Sequence, residues 1–352
     1  MTKPDPHREI RALSINTLSG ANFWSRDLIT RLDLVVGRYE DISSADVEGF
    51  RESLERAMPG LIEHRCSIGR RGGFITRLRR GTYAAHIIEH VALELQGMIG
   101  HEVGYGRARG GDRPGEYTVA FEHHHPRVGA RAAELALGIV QRAFAGSDLD
   151  IAAAVAELSG IARSPAEPAT RRRVDCGITG GGDLNVVRSE LLRLLGDAAG
   201  TVETVAPLDM LTSGLPYRRS ATAIVMNAEL SDVPERYRER DMANRLVSVV
   251  ADAVPRDGVV VVPAGDRDLH DEVEDAGCGV AIFTAGDHLA GRETRIARAI
   301  AMVRGDRLVV DDGSAASTER PLSRDTPPAA QAAAALAQLI LSEHDGKSKI
   351  TA

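Results

Sequence analysis

Four short apolar runs in the second half of the chain constrain its fold most. RVDCGITG, ATAIVMNA, GVVVVPAG and GVAIFTAG are separated by stretches of helical pattern such as NVVRSELLRLLGDA, RDMANRLVSVVADAV and DLHDEVEDAG. Unbroken apolar runs of this length suit strands buried on both faces, and the interleaved helices predict a layered α/β unit with a parallel sheet. ETRIARAIAMVRG reads as another helix, RLVVDDG as a strand, and PPAAQAAAALAQLILSEH as a closing helix over residues up to 343, leaving 344–352 as a frayed tail.

The first half does not repeat that rhythm. Within 8–160, REIRALSINTL reads as a strand, VEGFRESLERAMPGL as a helix, GGFITRLRRG as a strand after a glycine turn, and GEYTVAFEHHH as a further strand. Two alanine-rich helices follow, over 127–145 and 149–160. This irregular mixture predicts an α+β domain. IARSPAEPATRR, 161–172, has the composition of a linker, so the α/β domain spans 173–343. A length of 352 residues accommodates two such domains.

Charge and cysteine usage narrow the function. A net charge of −7 argues against a phosphate-tracking nucleic-acid binder. Cys66, Cys176 and Cys278 form no pair at metal or disulfide spacing, which predicts a reducing, cytoplasmic setting. No stretch is apolar for long enough to span a bilayer. The only lysines are Lys3, Lys347 and Lys349, so no interior lysine is available to neutralise nucleotide phosphates.

The residues that carry chemistry lie in GTYAAHIIEHVALELQG, 81–97, which contains the order H-x-x-E-H. On a helix, Ile87, Ile88, Val91, Ala92, Leu95, Met98 and Ile99 share one side, and His86, Glu89, His90 and Glu94 lie on the other. His86 and His90 sit one turn apart, so both rings can reach one ion. Glu89 is then placed to take and return a proton. The plain alternative is a solvated helix face. A third ligand is offered by Glu122, in the strand before His123, His124 and His125; Glu94 is the other choice. We expect a divalent metal of the zinc type, because three protein ligands leave a position open for water. Arg77, Arg79, Arg80, Arg107 and Arg109 are candidates to grip substrate carboxylates, or simply to form surface ion pairs.

LSGANFWSRDLITRLDL (18–34), LIEHRCSIGRRGGFITRLRRGTYAAHIIEHVALELQG (61–97) and VGYGRARG (103–110) resemble the amino-terminal domain of the cyanophycin synthetase family. That family polymerises aspartate and arginine with an amino-terminal domain, an ATP-grasp domain and a Mur-ligase-like domain. The resemblance implies that the first domain holds polymer and trims it hydrolytically through His86, Glu89 and His90, with Glu122 at the family's strand glutamate. CGITGGGDLNVVR (176–188) resembles the phosphate loop of the Mur-ligase-like domain, but Gly180, Gly181 and Gly182 are followed by Asp183-Leu184-Asn185 where G-K-T is needed. An aspartate there repels phosphate.

Further departures follow. Ala228-Glu229 replaces the expected aspartate-histidine, Leu246 stands near the active-site lysine, and Pro263 replaces an asparagine. No stretch resembles the ATP-grasp domain or the carboxy-terminal lobe. The resemblance therefore implies a degenerate, Mur-ligase-like second domain that takes no ATP and acts as scaffold. The expected function is a metallohydrolase of amide or isopeptide bonds in an Arg/Asp-rich peptide or polymer. The alternative is a non-catalytic accessory module for the polymer or for a separate ligase; an ATP-dependent ligase is disfavoured. A homo-oligomer is expected, and neither nucleic acid nor membrane is an expected partner.

Overall fold

The structure, a computed structural model, describes residues 4–18, 20–25, 27–165, 172–196, 200–313 and 317–350, with side chains described up to 343. It separates into two compact units: 1–18 with 27–168, and 19–26 with 169–352.

The first unit is built on a four-stranded antiparallel sheet. Its strands are β1 (Arg11–Leu18), β2 (Ile29–Val35), β3 (Gly106–Gly110) and β4 (Glu116–Glu122), in the order β1-β2-β4-β3. Leu32, Leu34, Val119 and Phe121 come from its two central strands into the core. Helices Ala84–Gly97 and Pro126–Ala145 supply Ile87, Ile88, Val91, Ala132, Ala136 and Ile139 to the same core. This is the α+β architecture expected.

GGFITRLRRG is a helix, Gly73–Arg80, and not a strand. Phe74, Ile75 and Leu78 are its buried side chains, at helical spacing, while Arg77, Arg79 and Arg80 face outward. Its start depends on glycine. Gly72 has φ +75°, and a Cβ on Gly73 would run into the carbonyl of Arg65. One strand of this sheet carries no obvious sequence signal. β3 is GRARG, poor in strand-forming residues, and is held by pairing with β4 from Gly106↔Phe121 to Gly110↔Tyr117.

The second unit has an eight-stranded sheet. Its strands are β5 (Arg173–Thr179), β6 (Val202–Thr204), β7 (Arg219–Val225), β8 (Val259–Pro263), β9 (Gly279–Phe283), β10 (Ala297–Arg304), β11 (Arg307–Asp311) and β12 (Thr318–Pro321). The order is β12-β11-β10-β9-β8-β7-β5-β6. All pairings from β6 to β10 are parallel, and β11 and β12 close one edge antiparallel. The four apolar runs are β5, β7, β8 and β9, as their composition requires.

Three expectations are corrected here. ETRIARAIAMVRG is helical only over Gly291–Ile296; from Ala297 it is β10, because pairing with β9 and β11 overrides the helical propensity of its alanines and arginines. The closing helix, Pro328–Ile350, continues through the stretch expected to fray. Residues 20–25 belong to the second unit, where Trp24 Nε1 donates to the Leu211 carbonyl at 3.2 Å and Phe23 meets Tyr237 edge-on. Of the expected linker, Ile161 and Ala162 end a helix that starts at Ile151, and 166–171 lie outside the described residues. Among the described residues, no helix is long and apolar enough to cross a membrane.

Candidate metal centre

The H-x-x-E-H helix, Ala84–Gly97, lies over the sheet with its polar side turned inward as well as its apolar side. Glu89 and His90 are 6% and 5% exposed, which rules out a merely solvated face. Helix Gly73–Arg80 covers them: the Phe74 ring stacks on His90 with centroids 4.0 Å apart. β3 closes in beside Glu89, and only because Gly106 has no side chain; a Cβ there would lie 2.7 Å from Glu89 Oε1.

The third member of the cluster is a cysteine. Ligand atoms of Cys66, His86 and His90 all lie within 4.8 Å of one another. Cys66 Sγ is 3.2 Å from His86 Nε2. Ligands about 2.0–2.3 Å from a tetrahedral zinc are roughly 3.3–3.7 Å apart, so the three need only small adjustment to share an ion. Cys66 also has φ +52°, an unusual backbone state for a residue with a side chain, at a turn ended by Gly69.

The surrounding hydrogen bonds decide which ring nitrogens face the cluster. Glu94 Oε2 lies 3.1 Å from His64 Nε2, and His64 Nδ1 lies 2.8 Å from His90 Nδ1. A carboxylate only accepts, so His64 carries its proton on Nε2 and offers the Nδ1 lone pair. His90 then donates through Nδ1 and keeps the Nε2 lone pair for the site. Thr82 Oγ1, 2.7 Å from His86 Nδ1, is placed to accept that nitrogen's proton when His86 Nε2 faces Cys66. Such outer partners orient metal-binding imidazoles. The donor set of one thiol and two neutral imidazoles fits a zinc-type ion.

Electrostatics agree with this chemistry. Burial holds His86 down at about 4, assisted by the Arg77 charge, so its ring is neutral and ready to ligate. Burial depresses His90 further, with His86 and His64 adding to the effect. Burial raises Glu89 to about 7, against the opposing pull of the Ala108 amide and Arg107. A carboxyl near neutrality is suited to exchanging protons. Its Oε1 is 3.9 Å from His90 Nε2.

Both carboxylates expected as a third ligand are otherwise engaged. Glu122 Oε2 accepts from the amides of Gly104 and Tyr105 at 3.0 and 3.2 Å, tying down the loop ahead of β3. Glu94 holds His64 and acts on the site through it. His123 and His125 are buried, with His123 Nδ1 2.9 Å from Thr30 Oγ1 and His125 Nε2 3.2 Å from the Ser164 carbonyl. His124 stacks on His101.

The cluster opens into a cleft of about 980 Å³. Of the expected arginines, Arg77 and Arg107 line it; Arg79, Arg80 and Arg109 do not, and Arg65 does instead. His64, Cys66 and Thr82 escaped sequence reasoning. The available signal was the pair His64-x-Cys66, two metal-binding residue types just ahead of H-x-x-E-H.

The glycine loop at Gly180–Gly182 in the second unit is the reverse of an open site. Asn227 Oδ1 accepts from the amides of Gly181 and Glu229 at 3.0 and 2.9 Å, and Asn227 Nδ2 donates back to the Gly181 carbonyl. Asp183 Oδ1 accepts from Asn185 N at 3.0 Å and caps helix Leu184–Leu195. Side-chain oxygens thus occupy donors at the loop and helix start that would otherwise face a phosphate. Gly180 and Gly181 leave room for this plug; a Cβ on either would strike the Asn227–Glu229 segment.

Comparison with known proteins bears on the first unit. Residues 31–145 match the family described as the cyanophycin synthase-like N-terminal domain. Over these residues the first unit is similar to that domain. Cyanophycin synthetase of Synechocystis sp. is 43% identical over 135 residues, 36% of this chain and 15% of the relative. The Crocosphaera subtropica cyanophycin synthetase is 42% identical over 133 residues, with the same shares. The matched stretch thus spans about one seventh of these relatives' length. Among solved structures, a murein peptide ligase of Psychrobacter arcticus aligns with TM-score 0.36 and 13% identity, covering 49% of this chain and 44% of that one. MurF of Acinetobacter baumannii aligns with TM-score 0.34 and 12% identity, covering 48% and 43%.

Proposed function

We propose that the first unit is a metal-dependent hydrolase of amide or isopeptide bonds in an Arg/Asp-rich peptide or cyanophycin-like polymer. The observation that carries this reading is the cluster of Cys66, His86 and His90 with Glu89 beside it at the wall of an open cleft. Cys66, His86 and His90 would hold a zinc-type ion, which when bound would polarise the scissile carbonyl and lower the pKa of a water. Glu89 would hold the proton of the attacking water and pass it to the leaving amine. His64, Glu94 and Thr82 keep both imidazoles in the ligating tautomer, while Arg65, Arg77 and Arg107 supply positive charge along the cleft.

The second unit serves as scaffold. The Asn227 and Asp183 contacts and the lack of interior lysine favour a role without ATP, and hence without ligation. Three free cysteines suit a cytoplasmic setting.

The test is zinc content and cleavage together. Purified protein is expected to hold about one zinc per chain in the manner of a three-ligand catalytic site, and to release product from cyanophycin or a β-aspartyl-arginine peptide. Protein that stays metal-free in excess zinc contradicts the proposal. Protein that binds zinc and polymer but cuts nothing supports the accessory-module reading instead.

A further inference from the structure

β3 is an edge strand, and its open side faces the metal cluster's cleft. It pairs with β4 alone. The Glu122 amide donates to the Tyr105 carbonyl and the Gly111 amide to the Glu116 carbonyl, at 2.9 and 2.5 Å. In an antiparallel ladder the inward-bonding residues alternate, so Tyr105, Arg107, Arg109 and Gly111 turn their backbone groups toward β4. Gly106, Ala108 and Gly110 turn theirs outward. Glu89 accepts a hydrogen bond from the Ala108 amide. No other described strand pairs with the remaining outward groups of Gly106, Ala108 and Gly110. Gly104 to Ala108 lie in the wall of the same cleft as His86, Glu89 and His90.

The charge beside this edge is positive. Arg65, Arg77 and Arg107 are exposed cleft residues, and none forms an ion pair among the described residues. Arg77 donates to the Ser67 hydroxyl and not to a carboxylate. Of the two acids that line the cleft, Glu63 is already held by Arg71 at 2.6–3.0 Å, and Glu89 is buried. Unpaired guanidinium groups beside an open strand edge fit an extended chain that brings carboxylates with it.

We propose that β3 binds its ligand by strand addition: an extended, carboxylate-bearing peptide lies along Gly106–Gly110 as a fifth strand, with its carboxylates on Arg65, Arg77 and Arg107. This deepens the hydrolase reading, since it places the ligand's backbone beside Glu89 and the Cys66–His86–His90 cluster. It does not require cleavage.

The test uses the full chain, zinc-loaded and after chelation, with fluorescein-labelled octa-aspartate as probe and anisotropy as readout. Two variants of the probe separate backbone pairing from charge. N-methylation of every second amide leaves one hydrogen-bonding edge, and N-methylation of all amides leaves none. We expect the half-methylated peptide to bind within about threefold of the parent and the fully methylated one to lose at least tenfold, in line with several backbone hydrogen bonds. Arg107→Ala should weaken the parent peptide about tenfold. Hydrogen exchange read by mass spectrometry should show peptide-induced protection at 104–111.

Equal binding by parent and fully methylated peptides overturns the proposal. So does protection at β1, the other edge of the sheet, in place of β3, or no binding of octa-aspartate at all. Strand-type binding without cleavage by zinc-loaded protein leaves this inference standing and removes the hydrolase reading. Cleavage with no sensitivity to methylation does the opposite.

Discussion

The cleft of the first unit and the glycine loop of the second treat their polar groups in opposite ways. Around the cleft, partners turn ligating atoms toward open space: Glu94 and His64 leave His90 Nε2 bare, and Thr82 leaves His86 Nε2 facing Cys66. In the loop, Asn227 and Asp183 turn inward and consume the amides that a ligand would use. A site prepared for a ligand keeps donors and acceptors unsatisfied and supports them from behind. The loop satisfies its amides internally, because a buried polar group without a partner costs about 1–3 kcal/mol.

The contrast is easiest to break at Glu89. Glu89→Gln keeps shape and burial but removes the proton carrier, so cleavage should fall by about 10²–10⁴-fold with zinc content unchanged. Turnover by the variant within tenfold of the parent would separate the acid from the chemistry.

The supports come next. His64→Ala or Glu94→Gln should weaken zinc binding by about 10–100-fold, the usual cost of losing an outer partner. Competition with a chromogenic chelator measures this. Unchanged affinity would mean that the histidine tautomers do not depend on the His64–Glu94 chain.

The metal-free protein should also respond to acid. His86 and His123 are both held at about 4 by burial, below the ordinary 6.5, and His90 is depressed in the same direction. The unfolded chain therefore binds more protons than the folded one below about pH 6.5, and stability falls as pH drops through that window. Lowering pH from 7.5 to 5.5 should cost about 1 kcal/mol per histidine. Glu89, raised to about 7 from 4.5, opposes this, because its folded form binds the extra proton and gains as pH falls. Urea unfolding of metal-free Glu89→Gln should thus show a steeper loss than the parent, and an equally shallow one would contradict the burial of that carboxyl.

The smallest expected effect is none. Millimolar ATP with magnesium should leave the thermal midpoint unchanged, since a ligand stabilises only when its concentration approaches its dissociation constant. A rise of several degrees would show that the second unit still takes nucleotide.

Much of this was legible in the chain. The apolar runs at β5, β7, β8 and β9 announced the parallel sheet, because strands buried on both faces have little freedom in composition. The pair His86 and His90 with Glu89 announced the cluster through helical spacing. Strand β3 and the helical state of 73–80 were hidden, since GRARG owes its conformation to β4 and the Phe74 turn to contacts around Arg65 and Ile68. The third member of the cluster was hidden for a related reason. Glu122 lies in a strand whose neighbour loop takes its carboxylate, whereas Cys66 reaches the histidines from a turn 20 residues upstream of His86. Pattern along one element finds ligands on that element and misses those delivered by a turn.

The central claim is that Cys66, His86 and His90 hold one ion. Zinc-edge X-ray absorption of the loaded protein tests it most directly. The account predicts one sulfur at about 2.3 Å together with nitrogen scatterers at about 2.0–2.1 Å, and loss of the sulfur shell in Cys66→Ser. A shell of nitrogen and oxygen alone in the parent, or a spectrum identical in Cys66→Ser, would contradict it.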